Sequence, residues 1–144
     1  MRNILLLIAD DLGRMTGMKI VSFGKFDTKN TTPITDDLAG WLPVEGSPSM
    51  TTWLEHVPED GKFLTGYWEA TPGTYQVTYN ADEMVHIFEG KATLTDENGE
   101  SVSYSAGDSF LVEAGFKGKW KTEQTIRKVF AIRMGQDVAA PFGE

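Results

Sequence analysis

The chain of 144 residues contains no cysteine. This absence excludes disulfide bonds, zinc–thiolate sites and thiol nucleophiles. It is also compatible with a reducing compartment, so we expect the protein to be cytoplasmic. Histidine is nearly absent as well, because His56 and His86 are the only two in the sequence.

Long hydrophobic runs are missing. The apolar run at residues 4–9 ends at Asp10, whereas a bilayer-spanning helix needs about 20 apolar residues. Basic residues are in the minority: 13 Lys and Arg stand against 21 Asp and Glu, for a formal net charge of −8. Such a balance disfavours nucleic acid and anionic membranes. We therefore expect neither a nucleic acid nor a membrane as a partner.

Residues 1–13 stand apart from the rest of the chain. The apolar run followed by Asp10 and Asp11 resembles the N-terminus of a sulfatase, where such paired aspartates help to bind calcium. The sulfatase nucleophile motif, Cys or Ser followed by x-Pro-x-Arg, is found nowhere downstream, so the resemblance carries no activity. We interpret residues 1–17 as an appended segment, and Met18 reads as a natural start.

The distribution of turn residues and apolar residues divides the chain into four regions. After the appended segment, residues 18–61 are rich in Pro and Gly but keep aromatic anchors, which disordered linkers lack. They predict an irregular arm packed on a sheet, with short edge strands at 19–23 and 49–55. We expect residues 62–134 to form the barrel core and residues 135–144 to form a frayed tail.

The core region predicts strands only. Short segments rich in Val, Ile, Thr and aromatic residues alternate with Gly-, Asn- and Asp-containing turns. They lie at 63–70, 75–79, 84–89, 91–95, 101–104, 109–112, 118–122 and 127–133. The clearest hairpin spans 92–104, with Asn98 and Gly99 at its turn. No amphipathic helix of ten residues is found. The pattern predicts an all-β sandwich or barrel.

Five motifs occur in a fixed order along the core region: GYWEATPG at 66–73, DEMVHIFEG at 82–90, GDSFLV at 107–112, GFKGKW at 115–120 and TIRKVF at 125–130. The set resembles the small cupin family that includes the cupin domain of (S)-ureidoglycine aminohydrolase. The resemblance implies a double-stranded β-helix barrel of jelly-roll type, commonly a homodimer. It does not imply ureidoglycine chemistry.

Cupins of the metal-binding kind hold a divalent ion with three histidines and one glutamate. In this chain Glu83 matches the glutamate, but other residues occupy the three histidine positions. The first two positions hold Gln76 and Thr78 or, in the other permitted spacing, Val77 and Tyr79. The third position holds Gly118. One carboxylate does not hold a transition metal tightly. We therefore expect no conventional metal site and no cofactor beyond, at most, a weakly held divalent ion.

A pocket is nevertheless expected around Glu83. Its candidate lining is Gln76, Thr78, Tyr79, Phe116 and Trp120, and Glu83 is the candidate acid/base. In the alternative interpretation, Trp120 and Phe116 plug the barrel, as small barrels require. His86 is taken as a packed or interface residue, and His56 as a solvated loop residue.

Side chains alternate along a strand, so an inward Glu83 places Val85 and Ile87 inward as well. Met84, His86 and Phe88 then point outward. Exposed apolar side chains on a sheet face mark a partner surface. We expect these side chains to be buried by a two-fold dimer or, alternatively, by the N-terminal arm.

Three functions remain open at this point, and the sequence leaves undecided whether the protein is an enzyme. The first is a metal-free cupin that binds a small polar metabolite. The second is a hydrolase or isomerase acting on a small nitrogenous or sugar-like metabolite, with Glu83 as acid/base. The third is a structural dimer whose barrel is filled by side chains.

Overall fold

The computed structural model describes residues 19–28 and 31–135, so the sulfatase-like segment and residues 136–144 lie outside the described part. The described residues form eight strands and one 3-10 turn, Phe26–Thr28. The strands are β1 (Trp41–Glu45), β2 (Met50–His56), β3 (Phe63–Ala70), β4 (Gly73–Thr78), β5 (Ala81–Asp96), β6 (Ser101–Ser105), β7 (Ser109–Val112) and β8 (Lys117–Met134). The predicted all-β class is confirmed. Within these residues, no helix has the length and apolar character to cross a membrane.

Two long strands organise the fold. β5 and β8 pair antiparallel along nearly their whole lengths, with irregular register between Ile87 and Ala92. Gly90 lies in this irregular stretch with φ of 91°, and a Cβ there would approach the Thr125 carbonyl oxygen to 2.1 Å. A bulge of this kind bends a strand and increases its twist. Each long strand therefore contributes to both faces of the molecule.

All strand pairs are antiparallel and form one continuous sheet that curls into two halves. The first half-sheet has the order β2, β3, the end of β8, the start of β5, and β7. The second has the order β1, β4, the start of β8, the end of β5, and β6. The two halves face each other across a common core, as in a jelly roll.

The predicted strands 63–70 and 109–112 coincide with β3 and β7. The predicted strands 84–89 and 91–95 instead join into β5, because Gly90 forms a bulge where a turn was expected. The predicted strands 118–122 and 127–133 likewise join into β8. The 92–104 hairpin is present, with Ala92 opposite Tyr104. The edge strand at 49–55 is β2; residues 19–23 form no strand, and β1 was not predicted.

Aromatic rings fill the space between the half-sheets. Trp41, Trp68 and Trp120 are buried, and their ring centroids lie 5.4–5.6 Å apart. Tyr75 is fully buried beside Trp41, and its hydroxyl donates to Asp37 Oδ1 at 2.8 Å. Rings of this size remove large apolar areas from water and dominate core energetics. The interior of this sandwich is therefore packed with side chains.

The N-terminal arm lies on the outer face of the first half-sheet. Phe26 packs edge-on against Trp53, Tyr67 and Phe88, with centroids 5.4–5.8 Å apart. The buried carboxylate of Glu55 accepts hydrogen bonds from the arm through Gly24 N and the Thr31 hydroxyl. The arm thus contacts Phe88, but Phe88 is still 37% exposed and Met84 is 49% exposed, so the described part of the arm does not bury this face as one of the two predicted alternatives required. Since β1 and β2 lie within residues 18–61, that region also supplies an edge strand to each half-sheet.

Candidate functional site

One ion pair is buried in the part of the chain that the structure describes. Lys128 Nζ, from β8, lies 2.7 Å from Glu83 Oε2, from β5, and the two side chains are only 2% and 6% exposed. The same ammonium lies 4.3 Å from the Trp68 ring centroid and 4.8 Å from that of Trp120. These distances are within the range of cation–π attraction. The Glu83 charge is therefore balanced by a cation that belongs to the protein itself.

Burial lowers the pKa of Lys128, and the nearby Glu83 carboxylate opposes this effect. An ammonium removed from water loses its hydration, and only a close partner with good geometry compensates for that loss. The Glu83 carboxylate supplies the charge of opposite sign, and the tryptophan rings supply polarisable faces. The pair is thus an electrostatic unit whose members depend on each other.

Tyr79 and Glu83 share a small cavity, as the sequence indicated. The cavity is also lined by Trp41 and Ile132 and has a volume of about 30 Å³. Such a volume holds about one water molecule. The buried Tyr79 hydroxyl has no hydrogen-bond partner of good geometry among the described residues, although burial and the charge of Glu83 raise its pKa well above the ordinary value. No metabolite fits this space.

The other predicted lining residues are spread over three environments. Trp120 is fully buried in the core, and Phe116 is half-buried with its ring edge-on to Tyr79 at 5.9 Å. Gln76 differs from the expectation, because it is exposed and lines an outer surface groove with lysines 117 and 119. Thr78 is also exposed, but it lines both this outer groove and the cavity of Tyr79 and Glu83. Side chains alternate along β4, so its inward residues are Tyr75 and Val77.

The positions that hold metal ligands in metal-binding cupins do not fit a metal here. Facing the interior are Val77, Tyr79 and Glu83, and the Glu83 carboxylate is already paired with Lys128. A Cβ at Gly118 would lie 2.0 Å from the Thr95 carbonyl oxygen, so β5 approaches too closely for an imidazole. Across residues 19–28 and 31–135, no group of three His, Asp or Glu side chains is arranged to bind a metal ion.

Neither histidine lines the cavity at Glu83. His86 is on the outer face of β5, and its Nδ1 is 2.8 Å from the Ser109 hydroxyl. His56 is the last residue of β2, rather than the loop residue that was expected.

A larger groove opens where no site was expected. It lies between β6 and β7 and has a volume of about 610 Å³. Tyr104 and Phe110 stack within it, with centroids 3.9 Å apart and planes inclined by 8°. Twelve residues line it: Leu94, Asp96, Glu100, Ser101, Val102, Tyr104, Phe110, Leu111, Val112, Glu113, Ala114 and Phe116.

The groove arises from the topology of the two edge strands. Among residues 19–28 and 31–135, β6 and β7 each pair only with β5, and they belong to opposite half-sheets, so their other edges face each other across a gap. Val102 lies opposite the buried Leu94, yet it is 47% exposed because none of the eight described strands covers it. The alternating apolar residues of β6 and β7 were a signal for this surface, but only the fold shows that it stays open.

The sequence model of the EutQ-like cupin domain matches residues 57–130, just over half of the chain. The chain belongs to the EutQ-like cupin family. This confirms the cupin resemblance, while the closer likeness to ureidoglycine aminohydrolase remains a prediction. Comparison with curated proteins gave no match.

Solved structures share the EutQ-like cupin fold. The EutQ protein of Clostridium difficile is 21% identical, with a TM-score of 0.56 over 62% of this chain and 66% of that chain. A protein of unknown function from Pseudomonas syringae is 20% identical, with a TM-score of 0.64 over 78% of this chain and 47% of that chain. The ectoine synthase of P. lautus is 18% identical, with a TM-score of 0.50 over 63% of this chain and 67% of that chain. The match thus spans less than two thirds of the Clostridium chain and under half of the Pseudomonas chain. These identities show a common fold.

Proposed function

We propose that this EutQ-like cupin binds a small organic molecule in the groove between β6 and β7, and that it does so without a resident metal. The observation that carries the proposal is the groove itself. Its volume of about 610 Å³ and its stacked Tyr104–Phe110 pair give it the size and aromatic lining of a ligand site. The interior, by contrast, offers space for about one water.

The hydrolase or isomerase alternative requires a substrate next to Glu83. The Glu83 carboxylate is paired with Lys128, and the adjacent cavity is too small for a metabolite. A general base needs to be within hydrogen-bond reach of the proton that it removes. The filled interior supports the third alternative, a structural dimer, more than it supports catalysis at Glu83. A purely structural role, however, does not account for the groove between β6 and β7.

The proposal is tested with an uncharged fluorescent probe, N-phenyl-1-naphthylamine, whose emission increases in apolar sites. We expect saturable binding with a stoichiometry of one. Val102→Glu places a hydrated carboxylate over the aromatic floor and should weaken binding at least about tenfold, which corresponds to about 1.4 kcal/mol. Val44→Glu is the matched control, because Val44 is 50% exposed on β1 and lies outside the groove. Equal binding by both variants, or no binding by the natural protein, would contradict the proposal.

A further inference from the structure

We infer that the groove between β6 and β7 selects organic cations, meaning molecules with a positively charged nitrogen on a small apolar body. This inference rests on the proposed function, since it takes the groove as the ligand site. It adds the chemical class of the ligand, which follows from the charges and rings that line the groove.

The charges around the groove all have one sign. Asp96, Glu100 and Glu113 line it, and none of its twelve lining residues is Lys, Arg or His. The whole chain carries a formal net charge of −8, which adds to the negative potential. A cleft lined by charges of one sign concentrates ligands of the opposite sign.

The three carboxylates do not have the same role. Asp96 Oδ1 accepts hydrogen bonds from Asn98 N and Glu100 N, so this carboxylate holds the turn between β5 and β6. Glu100 and Glu113 are exposed at the two sides of the groove, one following β5 and the other following β7. They are the carboxylates that a bound cation would meet.

The aromatic floor favours the same class of ligand. The faces of Tyr and Phe rings are electron-rich and attract cations within about 6 Å. Two cations among the described residues already make such contacts: Lys128 lies over the Trp68 ring, and the Arg127 guanidinium lies 4.6 Å from the Phe26 ring centroid. Because Tyr104 and Phe110 each cover one face of the other, a quaternary or primary ammonium would contact the outer face of one ring, in the same groove as the carboxylates of Glu100 and Glu113.

A second copy of the chain is a less suitable occupant. In a two-fold contact the groove of the copy would bring its own Asp96, Glu100 and Glu113 to a surface that is already acidic. Like charges brought together across an interface disfavour association. The groove therefore fits a small cation better than it fits its own copy.

The experiment compares choline with 3,3-dimethylbutan-1-ol, which has the same shape but a carbon in place of the charged nitrogen. Titration calorimetry at low salt should show that choline binds about tenfold more tightly, from the cation–π and carboxylate contacts together. This preference should shrink in 0.5 M NaCl, because salt at about that concentration screens exposed charges over a few ångströms.

Two double variants locate the effect. Glu100→Gln/Glu113→Gln should reduce the preference for choline to about twofold or less while leaving the binding of the neutral alcohol unchanged. Asp36→Asn/Glu59→Gln removes the same net charge from exposed positions outside the groove, and it should keep the preference.

Each outcome decides a separate point. Equal affinity for choline and the alcohol overturns the cation inference but leaves the groove as a ligand site. Binding of neither compound, together with no binding of the fluorescent probe, overturns the proposed function as well. A choline preference that persists in Glu100→Gln/Glu113→Gln places the cation elsewhere. A dimer in light scattering that dissociates in Val102→Glu would mean that a second copy occupies the groove, against the inference.

Discussion

Lys128 and Glu83 form an ion pair at 2.7 Å inside the barrel, although the two residues are 45 positions apart in sequence. In metal-binding cupins this interior carries a metal cation. Here the protein supplies its own cation from β8, and three tryptophan rings surround it. The glutamate that the sequence suggested as a catalytic group therefore has a structural partner.

Removal of Lys128 should be costly. Lys128→Met leaves the Glu83 carboxylate buried without a counter-charge, and breaking a buried pair in this way costs about 3–5 kcal/mol. The double variant Lys128→Met/Glu83→Leu removes both charges and should recover most of that loss. Urea denaturation of the natural chain and the variants measures the free energies of unfolding. Additive losses in the double variant would contradict the coupling.

Two tyrosines offer a matched comparison. The Tyr75 hydroxyl donates to Asp37 at 2.8 Å, so Tyr75→Phe should lose about 1–3 kcal/mol. The Tyr79 hydroxyl is buried without a partner of good geometry among the described residues, so Tyr79→Phe should be neutral or stabilising by about 1 kcal/mol. Thermal melting at pH 7 measures both. If Tyr79→Phe lost as much stability as Tyr75→Phe, a hydrogen bond to the Tyr79 hydroxyl would have to exist.

Stability should fall in alkaline solution. Burial, followed by the nearby Asp37, raises the pKa of Tyr75, and burial with the charge of Glu83 raises that of Tyr79. Groups with a raised pKa in the folded state stabilise it fully below their unfolded value of about 10, and this stabilisation is lost as pH rises further. The lowered pKa of Lys128 acts in the opposite direction, but its effect no longer changes once the lysine is neutral in both states, above about pH 10.4, whereas the loss from the tyrosines continues.

Melting temperatures between pH 8 and 11 test this expectation. The melting temperature should decline above about pH 10, and the decline should be shallower in Tyr79→Phe, which has one less group to ionise. A melting temperature that stayed constant up to pH 11 would contradict the raised pKa values.

The predicted homodimer has a specific candidate surface. Met84 is 49% exposed on the outer face of β5, and Phe26 of the arm contacts this face only at Phe88. If this face forms the dimer, Met84→Glu should convert the protein to monomers in light scattering. Leu42→Glu, at a comparably exposed leucine on β1, should leave the oligomeric state unchanged. A natural protein that is monomeric at high concentration would rule the dimer out.

The sequence predicted those features that depend on local patterns. Alternation along the strands placed Glu83, Val85 and Ile87 inward and Met84 outward, and the structure agrees. The Asn98–Gly99 turn could be predicted because glycine tolerates a positive φ, and Gly99 adopts one in the structure. These features require only neighbours in the chain.

Features that depend on distant partners could not be predicted. A lysine is expected on the surface, and Lys128 is buried only because Glu83 and the tryptophans converge on it. Gly90 reads as a turn, but its close approach to Thr125 makes it a bulge within a longer strand. The groove depends on which strand edges remain unpaired, and residue periodicity gives no information about that.

The bend in β5 and β8 also determines how the molecule opens. Because β5 and β8 belong to both half-sheets, one half-sheet cannot separate without breaking the β5–β8 hydrogen bonds that also hold the other. The amides in the β5–β8 ladder should therefore exchange with deuterium only through global unfolding, at a common and slow rate. The free edges of β6 and β7 should exchange much sooner, so the segment that forms the groove is also the part of the barrel that opens first.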